Sequence, residues 1–311
     1  MKKLLALALL LALLAFPGHS EEDEITVVAS FYPVYIMAAN VLEGVEGVQL
    51  TSMTAPTTGC LHDYQLLVSD MRALAQADLF LINGAGMEAF LPDVTDQFPS
   101  LLVVDCSQGA ALLCYDEAHE HDHDDHHDDP EDSHGHDHDH GEFNPHIWLD
   151  PENAVVMTGN IAQALALALP NQAEKIQANA EAYAARLRAL DEELHAALQA
   201  LPQRDIVTFH ESFPYFANAY GLHIAAVVTM EPDAPLSPRM VEEVVEKVRA
   251  AGNPPLFAEP QYPSAALRAI SLETGAPVYV MDPLSTGTGR LTDYEDVLRS
   301  NAAILIDALN K

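Results

Sequence analysis

Positive charge is what this 311-residue chain has least of. Fourteen Lys and Arg stand against 47 Asp and Glu, for a formal net charge of −33. A surface so acidic repels phosphate backbones and anionic lipid, which excludes nucleic acid as a partner and favours cations. Tryptophan occurs once and cysteine three times. An odd number of thiols leaves at least one unpaired within a monomer. Cys106 and Cys114 are close enough in sequence for a loop-closing disulfide, which an oxidising compartment would permit, and Cys60 would then stay free. Past residue 20 no apolar run approaches the ~20 residues needed to span a bilayer. There is no HExxH zinc-protease signature and no detectable internal sequence repeat.

What is present in excess is histidine, with 15 residues. The stretch from Asp116 to Glu142 holds nine His and thirteen Asp or Glu in 27 positions, with no Lys or Arg. It lacks the apolar residues to bury a core, so disorder is expected there. His119, His121, His123, His126, His127, His134, His136, His138 and His140 are candidate weak sites for several divalent ions. The rest of the chain after residue 20 is still acidic, with 34 acids against 12 bases.

The chain opens on Met1-Lys2-Lys3, continues through thirteen apolar residues from Leu4 to Phe16, and breaks at Pro17-Gly18-His19-Ser20. That order is expected of a secretory signal peptide over 1–20, and implies an exported, soluble mature protein. No Cys follows the apolar run, which argues against lipid attachment.

Hydrophobic residues make up 49 % of the chain, enough for a sizeable core. Strands are expected at 25–30, 45–53, 78–83 and 101–105, separated by amphipathic helices over 33–42, 65–75 and 87–98. After the insert, 151–169 reads as a helix stopped by Pro170. Asn171–Leu201 then runs without Gly or Pro and predicts one helix of about 45 Å. The alternation restarts with strands at 205–209, 222–228, 256–259 and 278–281 and helices at 212–219, 238–251, 263–274 and 292–309. This is an α/β chain with two halves, each a mostly parallel sheet of about four strands, flanking a long helix. The expected division is a first domain over 21–170 that carries the insert 116–142, a linker helix over 171–201, and a second domain over 202–311.

Open α/β sheets bind ligands beyond the C-terminal ends of their strands. Four metal-ligating side chains fall there: His62 after the second strand, His146 after the fourth and the insert, His210 after the fifth and Asp282 after the eighth. Three imidazoles and one carboxylate suit a borderline ion such as zinc. Glu211 is an alternative carboxylate, but consecutive residues tend to point apart, so Asp282 is preferred. His195 lies inside the long helix and is expected at the surface; His223 lies within a strand and is expected to be structural.

The blocks HDYQLLVSDMRALAQADLFLINGAGMEAFL, NPHIWLDPENA, FHESFPYFANAYGL, FAEPQYPS and VYVMDPLSTG resemble the zinc and manganese solute-binding proteins of ABC uptake systems. The resemblance covers nearly the whole chain after the signal, in order, and an acidic His-rich insert is typical of the zinc members. It implies two (β/α) domains joined by a single long, rigid helix, with metal in the interdomain cleft. It also implies His62, His146, His210 and Asp282 as the ligands, with His rather than Glu at the third position favouring zinc over manganese. The chain departs from the family pattern at Leu61, where a Pro is usual, and Cys60 stands two residues from the first ligand.

The expectation is therefore a periplasmic protein, monomeric and not an enzyme, that binds Zn2+ as transported ligand and delivers it to an ABC permease in the membrane. No catalytic residue and no resident cofactor is expected. The alternatives are a manganese-binding member of the same family, a zinc hydrolase using Glu211 as base, or a metal store or adhesin in which the insert is the working part.

Overall fold

The computed structural model describes residues 24–55, 61, 64–114, 142–228, 238–261 and 264–310. The expected signal peptide, Cys60, His62 and the nine histidines of the insert lie outside the described residues.

The first half runs β1 (Ile25–Ala29), α1 (Tyr32–Val41), β2 (Val48–Ser52), α2 (Val68–Leu74), β3 (Leu79–Ile82), α3 (Leu91–Gln97) and β4 (Leu102–Asp105). Two helices follow, α4 (Pro151–Ala168) and α5 (Ala173–Leu198). The second half runs β5 (Asp205–Thr208), α6 (Pro214–Tyr220), β6 (His223–Val227), α7 (Pro238–Ala250), β7 (Leu256–Ala258), α8 (Ser264–Thr274), β8 (Val278–Val280) and α9 (Asp293–Leu309). Each half is one four-stranded parallel sheet, ordered β2-β1-β3-β4 and β6-β5-β7-β8. The same strand order recurs without a sequence repeat. In both halves the order reverses beside the first strand, so a crevice forms at the C-terminal ends of β1 and β3 and again at those of β5 and β7.

The inner strands are apolar because helices cover both faces. All four residues of β3, Leu-Phe-Leu-Ile, are buried, as are Val27, Val28 and Ala29 of β1. Asp150 starts α4 by accepting a hydrogen bond from the Glu152 N–H at 2.9 Å, with Pro151 in the first helical position. The long helix is shorter than its composition suggests. Pro170–Gln172 forms a 3-10 turn, so α5 begins at Ala173. At the other end the Arg204 guanidinium takes the carbonyls of Leu198 and Gln199, which satisfies the last turn and stops the helix. Its 26 residues span about 39 Å. Ile176, Ala180, Tyr183, Leu187, Leu190, Leu194 and Leu198 form one buried stripe at helical spacing. That stripe packs against α4, α1 and α9, so α5 braces both halves.

The halves are also bonded directly. Tyr32 of α1 donates its hydroxyl to Asp293 at 2.5 Å and accepts the Gly289 N–H at 2.9 Å. Asn40 Nδ2 reaches the Leu291 carbonyl at 3.1 Å, and Arg186 of α5 pairs with Glu295 at 3.0 Å. Burial pushes the Asp293 carboxyl up, but hydrogen bonds from Tyr32, Thr288 and Arg290 outweigh it and hold it at about 2. Gly287 lies so close under the Tyr32 ring that a Cβ there would sit 2.0 Å from it. One hydrophobic core runs from Ile25 to Leu309 through both halves, and a second one fills the space between β5, β7, α7 and α8.

A disulfide between Cys106 and Cys114 does not form. Cys106 is buried, with Sγ toward the Val104 carbonyl, whereas Cys114 is exposed and its backbone bridges Phe143. Short sequence separation does not bring two thiols together when one faces the core and the other solvent. His195 is exposed on α5 near Asp191, as expected. His223 is also exposed and pairs with Asp205 at 2.8 Å, so it is a surface residue that caps the start of the sheet. Among the described residues no helix is long and apolar enough to cross a membrane.

Candidate metal centre

His146 and His210 meet. Their ring centroids lie 5.3 Å apart with planes at 85°. His210 stands just past the end of β5, while His146 stands past β4 and the insert at the entrance to a 3-10 turn, Ile147–Leu149. Two imidazoles from opposite halves of the sequence thus converge at strand C-termini, as the topology demands.

Asn144 sets the chemistry of His146. Its Oδ1 accepts the His146 backbone N–H at 3.0 Å and lies 3.1 Å from ring Nδ1. Its Nδ2 donates to the Glu211 carbonyl at 2.8 Å, which fixes the amide orientation. An amide oxygen only accepts, so Nδ1 carries the proton and Nε2 keeps its lone pair for a ligand. The Asn144 carbonyl accepts the Tyr215 hydroxyl at 2.7 Å, and Tyr215 in turn takes the Leu113 N–H. Asn83, at the end of β3, donates to the Pro145 carbonyl at 2.9 Å. The fully buried His146 is therefore held on both sides by backbone-directed bonds from both halves.

Asp282 closes β8 on a rigid loop. Asn301 of α9 holds its backbone twice, accepting the N–H at 2.9 Å and donating to the carbonyl at 2.7 Å. Oδ1 accepts the Leu284 N–H at 2.8 Å. Burial pushes the carboxyl up, partly offset by that bond. Glu259 follows β7, between the strands that lead to His210 and Asp282. It is buried, and burial raises its carboxyl to about 7. Gln261 donates its amide to Oε2 at 2.5 Å, and the Ser212 hydroxyl lies beside the carboxyl. In the first half burial likewise raises Glu88 to about 7, although it accepts the Asn83 and Gly84 N–H groups.

Among the described residues no group of three or more His, Cys, Asp or Glu side chains is gathered around one point. The structure brings His146 and His210 together. Asp282 is placed on a loop tied to the same segment, through the indole N–H of Trp148, which donates to the Pro283 carbonyl at 2.7 Å. His62 lies outside the described residues. The supporting residues Asn144, Trp148, Asn83 and Glu259 carry no ligand-type signal in the sequence. The NPHIW block contains two of them, and the solitary Trp was the one compositional sign.

Comparison with known proteins agrees with this architecture. A family profile described as zinc-uptake complex component A, periplasmic, matches residues 27–308. The chain is 33 % identical to the high-affinity zinc uptake system protein ZnuA of Brucella suis over 337 aligned positions, covering the whole of both. It is 30 % identical to the zinc-binding protein AdcA of Streptococcus pyogenes, covering 91 % of this chain and 56 % of that relative. A crystal structure of ZnuA superposes with a TM-score of 0.73 at 25 % identity, over 92 % of this chain and all of the other. Zn(II)-bound AdcA from Streptococcus pneumoniae superposes with a TM-score of 0.75 at 25 % identity, over 93 % of this chain and 58 % of that one. With the profile spanning both sheets and the helices that join them, the chain belongs to the family of periplasmic zinc-uptake complex components A.

Proposed function

We propose that this chain is an exported zinc-binding protein that holds Zn2+ between its two halves and delivers it to the membrane permease of an ABC importer. Residues 21–170 and 202–311 act as the two lobes and 171–201 as the brace. His62, His146, His210 and Asp282 are the proposed ligands, and binding and release, rather than turnover, are the activity. The observation that carries this reading is the His146–His210 pair, with the Asn144 amide oxygen placed to hold the His146 Nδ1 proton. Imidazole pairs suit zinc, and His at position 210 in place of a carboxylate favours it over manganese.

The nine insert histidines would bind further ions more weakly, because a segment whose composition predicts disorder loses chain entropy with each ion it wraps. Two variants separate the regions in competition titrations against a chelator. Deleting 117–140 should leave one tight zinc per chain. Replacing His62 and His146 by Ala should abolish the tight site and spare the weak ones. A tight site that disappears with the insert and survives the double replacement would overturn the proposal.

A further inference from the structure

Trp148 belongs to the segment that carries His146, yet its indole N–H points across to the loop that carries Asp282. The ring is fully buried. Phe31, just past β1, meets it edge-on at 5.1 Å between centroids and 82°, and the His146 ring lies against it, also at 5.1 Å. The Trp148 carbonyl accepts the Tyr294 hydroxyl from α9 at 2.7 Å. The indole is thus fixed by the first half, by a ligand and by the last helix before its N–H makes any bond.

The loop that receives the N–H is unusual. Leu284 adopts a left-handed backbone with φ +58°, a conformation a leucine holds only when its surroundings impose it. That turn brings the Leu284 N–H onto Asp282 Oδ1. The buried Pro283 carbonyl between them is the acceptor for Trp148. Packing alone would be met by a phenyl ring; the N–H adds a fixed distance between two ligand-bearing segments that lie 135 positions apart.

We propose that Trp148 is a positioning residue for the metal site: its indole N–H ties the Asp282 loop to the His146 segment and sets where the Asp282 carboxylate meets an ion held by His146 and His210. This rests on the zinc reading above. It assigns Trp148 an action through Asp282, with no contact to the ion.

The solitary Trp makes the test clean, because labelling or replacing tryptophan throughout the chain changes position 148 alone. The variant Trp148→Phe is compared with the parent by zinc competition and by the visible spectrum of bound Co2+, whose intensity and band positions follow coordination geometry. The expected result is a tenfold to hundredfold loss of zinc affinity, the range for outer partners of metal ligands, with an altered Co2+ spectrum. In an Asp282→Ala background the same replacement should change neither, since the group it positions is gone. If Trp148→Phe folds poorly, biosynthetic replacement by benzothienylalanine keeps the shape and deletes only the N–H. An equal loss with and without Asp282 would mean general packing and overturn the proposal. An unchanged spectrum and affinity in the single replacement would do the same. A parent protein that binds neither ion tightly would overturn the zinc reading itself, and the positioning role with it.

Discussion

Replacing Asn144 by Ala is the most exacting perturbation of the site that leaves every proposed ligand in place. The buried Asn144 side chain serves three groups at once: the His146 backbone N–H, the His146 ring Nδ1–H and the Glu211 carbonyl. Alanine strands the two buried His146 groups, while the part-buried Glu211 carbonyl can turn to water. An unsatisfied buried group costs about 1–3 kcal/mol, so the two cost at least about 2 kcal/mol of folding stability. For a chain of this size that lowers Tm by about 3 °C. The effect on metal has a separate origin. Without its acceptor the Nδ1–H no longer fixes the ring, and loss of such a partner weakens metal binding tenfold to a hundredfold.

Asn144→Asp distinguishes the two effects. A carboxylate still accepts both His146 bonds but stabilises the imidazolium, so His146 loses its proton at a higher pH. The pH at which half-maximal zinc affinity is reached should therefore rise, while the ring stays oriented and affinity at pH 8 is largely kept. The assay is chelator competition from pH 5.5 to 8, with thermal unfolding of metal-free protein alongside. Asn144→Ala with parental zinc affinity would refute the claim that Asn144 sets the tautomer of a ligand.

Zinc affinity of the parent should fall steeply below about pH 6, because protons compete for imidazoles with a reference pKa near 6.5; competition titrations giving a flat profile down to pH 5.5 would rule out a His-rich site. His210→Glu should narrow the preference for zinc over manganese in paired titrations, since it exchanges an imidazole for a hard oxygen donor. Glu259→Gln should stabilise metal-free protein at pH 8. Burial holds the Glu259 carboxyl at about 7, above its unfolded value, so its contribution is intact below about pH 4.5 and is lost as pH rises through 7. The gain, up to about 3 kcal/mol, should vanish near pH 4.5 in a pH series of Tm values. Adding zinc should change the radius of gyration in solution scattering very little, because α5 and the Tyr32–Asp293 bonds already brace the halves.

Where sequence patterns carried the argument, they did so because the physics was local. Alternating apolar strands and amphipathic helices predict both parallel sheets, and the rule that ligands sit past strand C-termini picks out His146 and His210, whose rings lie 5.3 Å apart. Boundaries slipped where caps decide them. The second strand starts at Val48 because Gly44 and Gly47 turn the chain with positive φ. Helix α2 waits until Val68 because Asp70 accepts the Leu67 N–H and the Tyr64 hydroxyl, holding the preceding residues out of the helix. Helix α3 starts late because Gly84, Ala85 and Gly86 are left-handed and the Glu88 carboxylate reaches back to the Asn83 and Gly84 N–H groups, which holds 83–88 in a turn. What no local pattern reveals is the support of the site. Asn144 meets Glu211 across 67 positions, Trp148 meets Pro283 across 135, and Tyr294 meets Trp148 across 146. Each is a polar contact between the NPHIW segment and the second half of the chain. That segment follows the first sheet in sequence but is bonded in four places to the second half. Asn83 and Phe31 hold the same segment from the first half, so His146 is bonded to both sheets at once, and it is the second-half bonds that set it beside His210 and tie it to the loop of Asp282.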